Sequence, residues 1–180
     1  VSPMESRLNA HVLFSDETND QVLKDFLAGL RVALIERPLS EYSLKCLARQ
    51  VGEDLLREKG FKKSEVMSVD DTALLAGSTI AEITYESYKQ AIKNVPDNMA
   101  LGFMPFNTND GLADVKWQEH YAYVLGLFET SPIFETRTPD LWAAFSGVKT
   151  DTNKKWISDF QHALKNIPRL AVSGSDAHRY

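Results

Sequence analysis

The chain has 180 residues, 43% of them hydrophobic, which is enough to bury one substantial core, and a single domain over 1–180 is the default expectation. Asp and Glu outnumber Lys and Arg by 25 to 20, so a broad electrostatic attraction for nucleic acid or anionic membrane is excluded. No apolar run approaches the roughly 18–20 residues that cross a bilayer, and no basic-then-apolar leader opens the chain, so the sequence predicts a cytoplasmic protein without a membrane partner.

In chain order, His11 to Phe14 reads as a short strand. A polar breaker, Ser15 to Asp20, follows it, and then a helix with Val22, Leu23, Phe26, Leu27 and Leu30 on one face. Arg31 to Ile35 predicts a second short strand. Pro38 and Ser40 then precede one amphipathic helix carrying Leu44, Leu47, Ala48, Val51, Leu55 and Leu56, closed by Gly60. The lone Cys46 lies in the apolar phase of that helix and reads as a buried, inert thiol. From Phe61 to Thr84 the periodicity is weak, interrupted by Ser64, Asp70, Asp71, Gly77 and Ser78, and an irregular excursion is expected. Tyr85, Tyr88, Ala91, Ile92 and Val95 form a helical face that ends before Pro96.

Met99 to Phe106 is almost uninterruptedly apolar, the pattern of a strand buried on both faces, and it empties into the polar loop Asn107-Thr108-Asn109-Asp110-Gly111. Asp114 is placed to cap a helix through Trp117, Tyr121, Val124, Leu125 and Phe128, and Pro132 to Glu135 predicts a further strand. After Pro139 to Phe145, Asp151 to Ile167 predicts a helix closed by Pro168, and Leu170 to Val172 a last strand. The aromatic residues Trp117, Tyr121, Trp142 and Trp156 read as core. Strands alternating with helices predict an α/β chain, layered or barrel, with mainly parallel pairing.

The last strand exits into Ser173-Gly174-Ser175-Asp176-Ala177-His178. A carboxylate and an imidazole two residues apart on such a turn suit zinc, manganese or iron, and a cation there would make a hydroxide nucleophile from bound water. A capped turn with a solvent-facing histidine is the plainer reading. His11, opening an apolar strand, is costly to bury unless it is paired or metal-bound, and a satisfied core histidine is its plainer reading. Glu5 adds a hard oxygen ligand or is simply solvated. His120 and His162 read as helix-surface residues. Phosphate-loop, dinucleotide-binding, Cys-x-x-Cys, His-Glu-x-x-His and nucleophile-elbow motifs are absent, and adjacent Ser175, Asp176 and His178 on one turn do not align as a relay.

The segment from Ser173 to His178 resembles the last motif of the PHP (polymerase and histidinol phosphatase) superfamily. Asn9-Ala-His-Val-Leu-Phe-Ser-Asp-Glu17, Met104-Pro-Phe-Asn-Thr-Asn-Asp-Gly-Leu112 and the Trp117 region are similar to the PHP portion of large, TrlF-type PHP-ATPase (AAA-like) proteins. The resemblance implies a distorted (β/α)7 barrel that binds divalent metals and hydrolyses phosphoesters. It implies that Asp176 and His178 are metal ligands at the catalytic centre, that His11 is a further ligand, and that Glu5 matches the family's glutamate, although the interval from Glu5 to His11 is short.

Two departures from the pattern stand out. The family's opening His-x-His is absent, and Met104-Pro105 occupies a strand end where many members carry another histidine. The sequence therefore predicts a chain that begins after that motif or has lost it. It stops at Tyr180 without an ATPase motif, as a fragment would.

The leading expectation is a metal-dependent phosphoesterase with manganese, zinc or iron as cofactor, in a number the sequence does not set. The Asn107-Thr108-Asn109 loop, with Asn107 and Asn109 as its contacts, is expected on the substrate rim, where a plain turn is the alternative. The rival expectation is a non-catalytic regulatory or docking module beside an ATPase domain of the same or a partner chain. Nucleic acid enters as a substrate or through a larger assembly.

Overall fold

The computed structural model describes residues 8–96, 99–108 and 110–173. Glu5, Asn109, Asp176 and His178 lie outside the described residues. The chain is mixed α/β and divides into two compact units, one formed by residues 18–96 and the other by 8–17 with 99–173. In sequence, the first is inserted between the two leading strands of the second.

The first unit is helical. Helix α1 (Asp20–Gly29) starts where the Asn19 side chain accepts a hydrogen bond from the Val22 amide. Strands β2 (Arg31–Val32) and β3 (Arg37–Pro38) form an antiparallel ribbon much shorter than the expected strand. The single helix expected from Leu44 to Leu56 is two, α2 (Glu41–Gln50) and α3 (Glu53–Glu58), because Val51 and Gly52 are extended between them. The Lys63 ammonium holds the break open: it donates to the Arg49 and Val51 carbonyls at 2.7 Å, meeting the negative end of α2 with a cation. Gly60, at φ +84°, ends α3 as expected. Cys46 is half-buried on α2.

The expected irregular excursion is instead α4 (Lys63–Ser68) and α5 (Asp70–Ile80). The residues that read as breakers have helical roles. Asp70 and Asp71 occupy the first turn of α5, where the helix dipole favours anions, and Ser78 donates back to the Leu74 carbonyl at 2.9 Å. Helix α6 (Tyr85–Asn94) matches its expected span and is capped by Thr84. Val32, Leu47, Ala48, Leu56, Val66, Ala73, Ala76 and Ile80 form the core of this unit.

Asp70 also bridges α5 to α2, accepting from Arg49 at 2.6 Å and from Lys45 at 3.0 Å. These cations, Arg49 foremost, hold its carboxyl below the usual carboxylate range. A depressed folded-state value gives stability that is present above the unfolded-state value and lost as pH falls through the folded one. Asp70→Asn should therefore lower Tm slightly at neutral pH and low salt. The gap to the parent should close as pH drops below the ordinary carboxylate range, and also as salt is added, because the group is fully exposed. Thermal melts at several pH values check this, and a gap that persisted in strong acid would refute it.

In the second unit, β1 (His11–Phe14), β4 (Ala100–Pro105), β5 (Ile133–Glu135) and β6 (Leu170–Val172) form one sheet in that order. β4, β5 and β6 run parallel as expected, whereas β1 is antiparallel to β4. Among the described residues the sheet is open. Helices α7 (Trp117–Thr130), α8 (Pro139–Phe145) and α9 (Ile157–Ala163) pack on the face that carries Met104 and Phe134. Phe106, Phe128, Phe134, Phe145 and Phe160 interlock there, with Phe134 stacked on Phe145 at 4.8 Å and the other pairs edge-on.

The expected burial of Tyr121, Trp142 and Trp156 fails by contrast, since all three are exposed. The expected burial of Met99 to Phe106 on both faces also fails. Leu101 pairs with Leu13 on the other face, and they are 42% and 49% exposed. Asp114 lies in a short 3-10 turn, so α7 begins at Trp117 instead, with a kink at His120. The helix expected from Asp151 to Ile167 shrinks to α9. Buried Asn153 ties 148–153 into a turn through the Thr150 amide and the Val148 carbonyl, and Lys165 and Asn166 take left-handed backbone beyond it.

Candidate functional site

Strand direction decides where chemistry can gather. The register sets Pro105, Glu135 and Val172 side by side, so three parallel strands end at one edge of the sheet. Antiparallel β1 begins near that edge, with His11 opposite Phe103. Open α/β sheets place ligands outside the carboxyl ends of their strands. Here a cleft of about 360 Å³ opens at that edge, lined by Asn9, His11, Pro105, Asn107, Thr108, Glu135 and Arg137.

Each wall is held by the local fold. The loop leaving β4 turns back sharply. The Gly111 amide donates to the Thr108 carbonyl and the Ala113 amide to the Phe106 carbonyl, and Asp110 takes a left-handed backbone at φ 54°. Gly111 is required there, because a Cβ would sit 2.5 Å from the Phe106 carbonyl oxygen and 2.6 Å from that of Thr108. The Asn9 amide donates to the Asp110 carbonyl at 3.0 Å, tying the approach to β1 to this loop. The His11 ring lies against Phe103, with centroids 5.4 Å apart and planes tilted by 37°.

On the β5 side, Thr136 is fully buried and continues the pairing by donating its amide to the Val172 carbonyl. Its neighbours Glu135 and Arg137 fall on the opposite side of the chain, toward the cleft. The Thr108 hydroxyl reaches Glu135 Oε2 at 3.5 Å, and the Asn107 side-chain amide donates to Thr138 Oγ1 at 2.7 Å, bridging the β4 and β5 exits.

Two of the expected site residues, His11 and Asn107, thus line one cleft. His11 is exposed at the sheet edge, so the reading of a satisfied core histidine does not apply to it. His120 is half-buried beside Glu119 at the α7 kink, and His162 is exposed on α9. The sequence expectations leave out Glu135, Arg137 and Asn9, whereas Thr108 belongs to the loop expected as the substrate rim. Glu135 and Arg137 carry a readable signal, two ionisable residues at the exit of a predicted strand flanking a threonine. Among the described residues no three His, Cys, Asp or Glu side chains converge as a metal-binding group, and no helix is long and apolar enough to cross a membrane. No family model, curated protein or solved structure matches the chain.

Proposed function

We propose that this cleft is part of a metal-dependent phosphoesterase site of PHP type, with the open sheet forming part of a distorted (β/α)7 barrel. The observation that carries the reading is the convergence of His11 and Glu135, 124 positions apart in sequence, on one cleft at the edge where β6 also ends. An imidazole nitrogen and a carboxylate oxygen together suit manganese, zinc or iron. Asp176 and His178, four and six positions beyond Val172 in sequence, are the further ligands that the resemblance names. Glu5 is the remaining candidate ligand.

A bound divalent cation supplies a water acidic enough to attack phosphorus and positive charge to offset that on the phosphate oxygens. The chain's own residues orient the partners. Phe103 limits the tilt of the His11 ring, and the Thr108 hydroxyl steadies the Glu135 carboxylate, as outer-sphere partners of metal ligands commonly do. Asn107, with its amide fixed on Thr138, lies on the substrate rim, for which Asn109 is the other candidate from the sequence. Hydrolysis adds the oxygen of water to phosphorus, breaks the ester P–O bond, and leaves an alcohol and a phosphate. On the same reading the partners are an ATPase domain of this or another chain, with nucleic acid reached only through a larger assembly.

Elemental mass spectrometry on the purified chain tests this. Bound manganese, zinc or iron is expected, with affinity falling by about 10–100-fold or more in Glu135→Gln, Asp176→Ala and His178→Ala. Protein that stays metal-free after reconstitution, or keeps its metal in all three variants, would sink the reading and favour a non-catalytic docking module.

A further inference from the structure

We propose that Arg137, with Asn107, forms an anion subsite that takes the terminal phosphate of a small phosphomonoester. This rests on the phosphoesterase reading and narrows its substrate class. Among the described residues that line the cleft, Arg137 is the single Lys or Arg, in a chain of net charge −5. Its side chain is exposed, yet its backbone is clamped on both sides. On one side, buried Thr136 is held through its amide to Val172 and through its carbonyl, which accepts the Trp142 indole N–H at 2.9 Å. On the other, the Thr138 amide donates to Thr136 Oγ1 at 3.2 Å, and Thr138 Oγ1 receives the Asn107 amide. A long cationic side chain rooted at so fixed a point sweeps a small volume over the cleft.

The chemistry of the lining selects the ligand. A guanidinium presents parallel donors that match two oxygens of one phosphate group. Among the described residues the one aromatic ring lining the cleft is the His11 imidazole, already set against Phe103, which leaves a nucleobase little to stack on. A nucleic-acid backbone calls for a track of cations, and the described lining of the cleft, in an acidic chain, offers one arginine. At about 360 Å³ the cleft is near the small end of ligand sites, the size for a phosphate and a short polar group beyond it.

The test uses the full chain and inorganic phosphate as probe, titrated by calorimetry at low ionic strength with metal removed. Arg137→Gln should weaken phosphate binding about 10-fold or more, and Arg137→Lys should recover part of it, because a charge-assisted bidentate contact becomes a single point charge. Glu135→Gln removes a neighbouring negative charge from the metal-free cleft and should tighten binding. If the wild type binds no phosphate, or Arg137→Gln binds it equally well, the subsite is wrong.

With manganese added, hydrolysis of p-nitrophenyl phosphate should show KM raised about 10-fold or more in Arg137→Gln, with bound metal unchanged. Bis(p-nitrophenyl) phosphate should be hydrolysed less well by the wild type and be less affected by the substitution. An unchanged KM for the monoester would overturn the subsite while leaving the metal site standing. Arg137-dependent phosphate binding by a chain that takes up no metal would do the reverse.

Discussion

Phe134→Ala is expected to destabilise the second unit by about 3–5 kcal/mol, the upper range for emptying a buried aromatic site. Phe134 is fully buried in the centre of β5. It stacks on Phe145 at 4.8 Å and meets Phe128 and Phe106 edge-on at 5.2 and 6.4 Å, so truncation removes three ring contacts as well as transfer energy. Collapse around the vacancy is limited, because the backbone on either side is paired to β4 and β6. All three tryptophans of the chain, at 117, 142 and 156, belong to this unit. The tryptophan fluorescence transition in urea therefore reports it directly, and a midpoint shift corresponding to less than about 1 kcal/mol would show that the cluster is not the centre of the core. Since Glu135 follows Phe134 and Arg137 lies two residues beyond it, a milder Phe134→Leu should leave the fold intact while loosening the β5 wall of the cleft.

The second unit also shows what the sequence could and could not reveal. His11 to Phe14, Pro132 to Glu135 and Leu170 to Val172 are legible as strands because each is a short apolar run between polar breaks, and all three form. The alternation of strands and helices correctly implies parallel pairing of β4, β5 and β6. It says nothing about β1, whose direction depends on the path through 79 inserted residues, 18–96. Solvent facing was legible only in part. Met99 to Phe106 has no polar residue to mark an open face, so Leu101 reads the same as buried Met104. The breakers of the first unit mislead for a different reason. Asp, Ser and Gly lower helix propensity in general, but Asp70 at a first turn, Ser78 bonded to a preceding carbonyl and Gly77 at a helix contact are each used where the position asks for them.

The same contrast applies to the cleft. His11 is conspicuous in sequence because a histidine opens an apolar strand, and Asn107 because a polar loop leaves one. Their nearness to each other, and to Glu135 and Arg137, follows from register: one antiparallel strand start and two parallel strand ends meet at a single edge. That is tertiary information, and no spacing within the sequence encodes it. It also explains why the β4–β5 bridge from Asn107 to Thr138 matters to the site, since it joins the two loops that bring the amide, the carboxylate and the guanidinium to one cleft.

Gly77→Ala should cost the first unit about 1–3 kcal/mol or more, although alanine is the better helix former by about 1 kcal/mol. Gly77 lies inside α5 and is buried. A Cβ there would sit 2.1 Å from the Leu44 carbonyl oxygen and 2.6 Å from its carbon, both backbone atoms of α2. No rotamer change relieves an overlap with backbone, so one helix must move off the other. That separation would open the contact beside Leu47, Ala48, Ala73 and Ala76, four buried residues that form the seam between the two helices. The two effects have opposite signs, and the steric one is larger because the overlap is nearly an ångström inside the closest approach real Cβ atoms make. Urea unfolding followed by far-UV circular dichroism, where this helical unit dominates the signal, should show a lower midpoint. Ser78→Ala, one position along on the exposed side, should leave the midpoint nearly unchanged. If Gly77→Ala were neutral or stabilising, helix propensity would have won, and α2 and α5 could not approach each other as closely as this backbone has them.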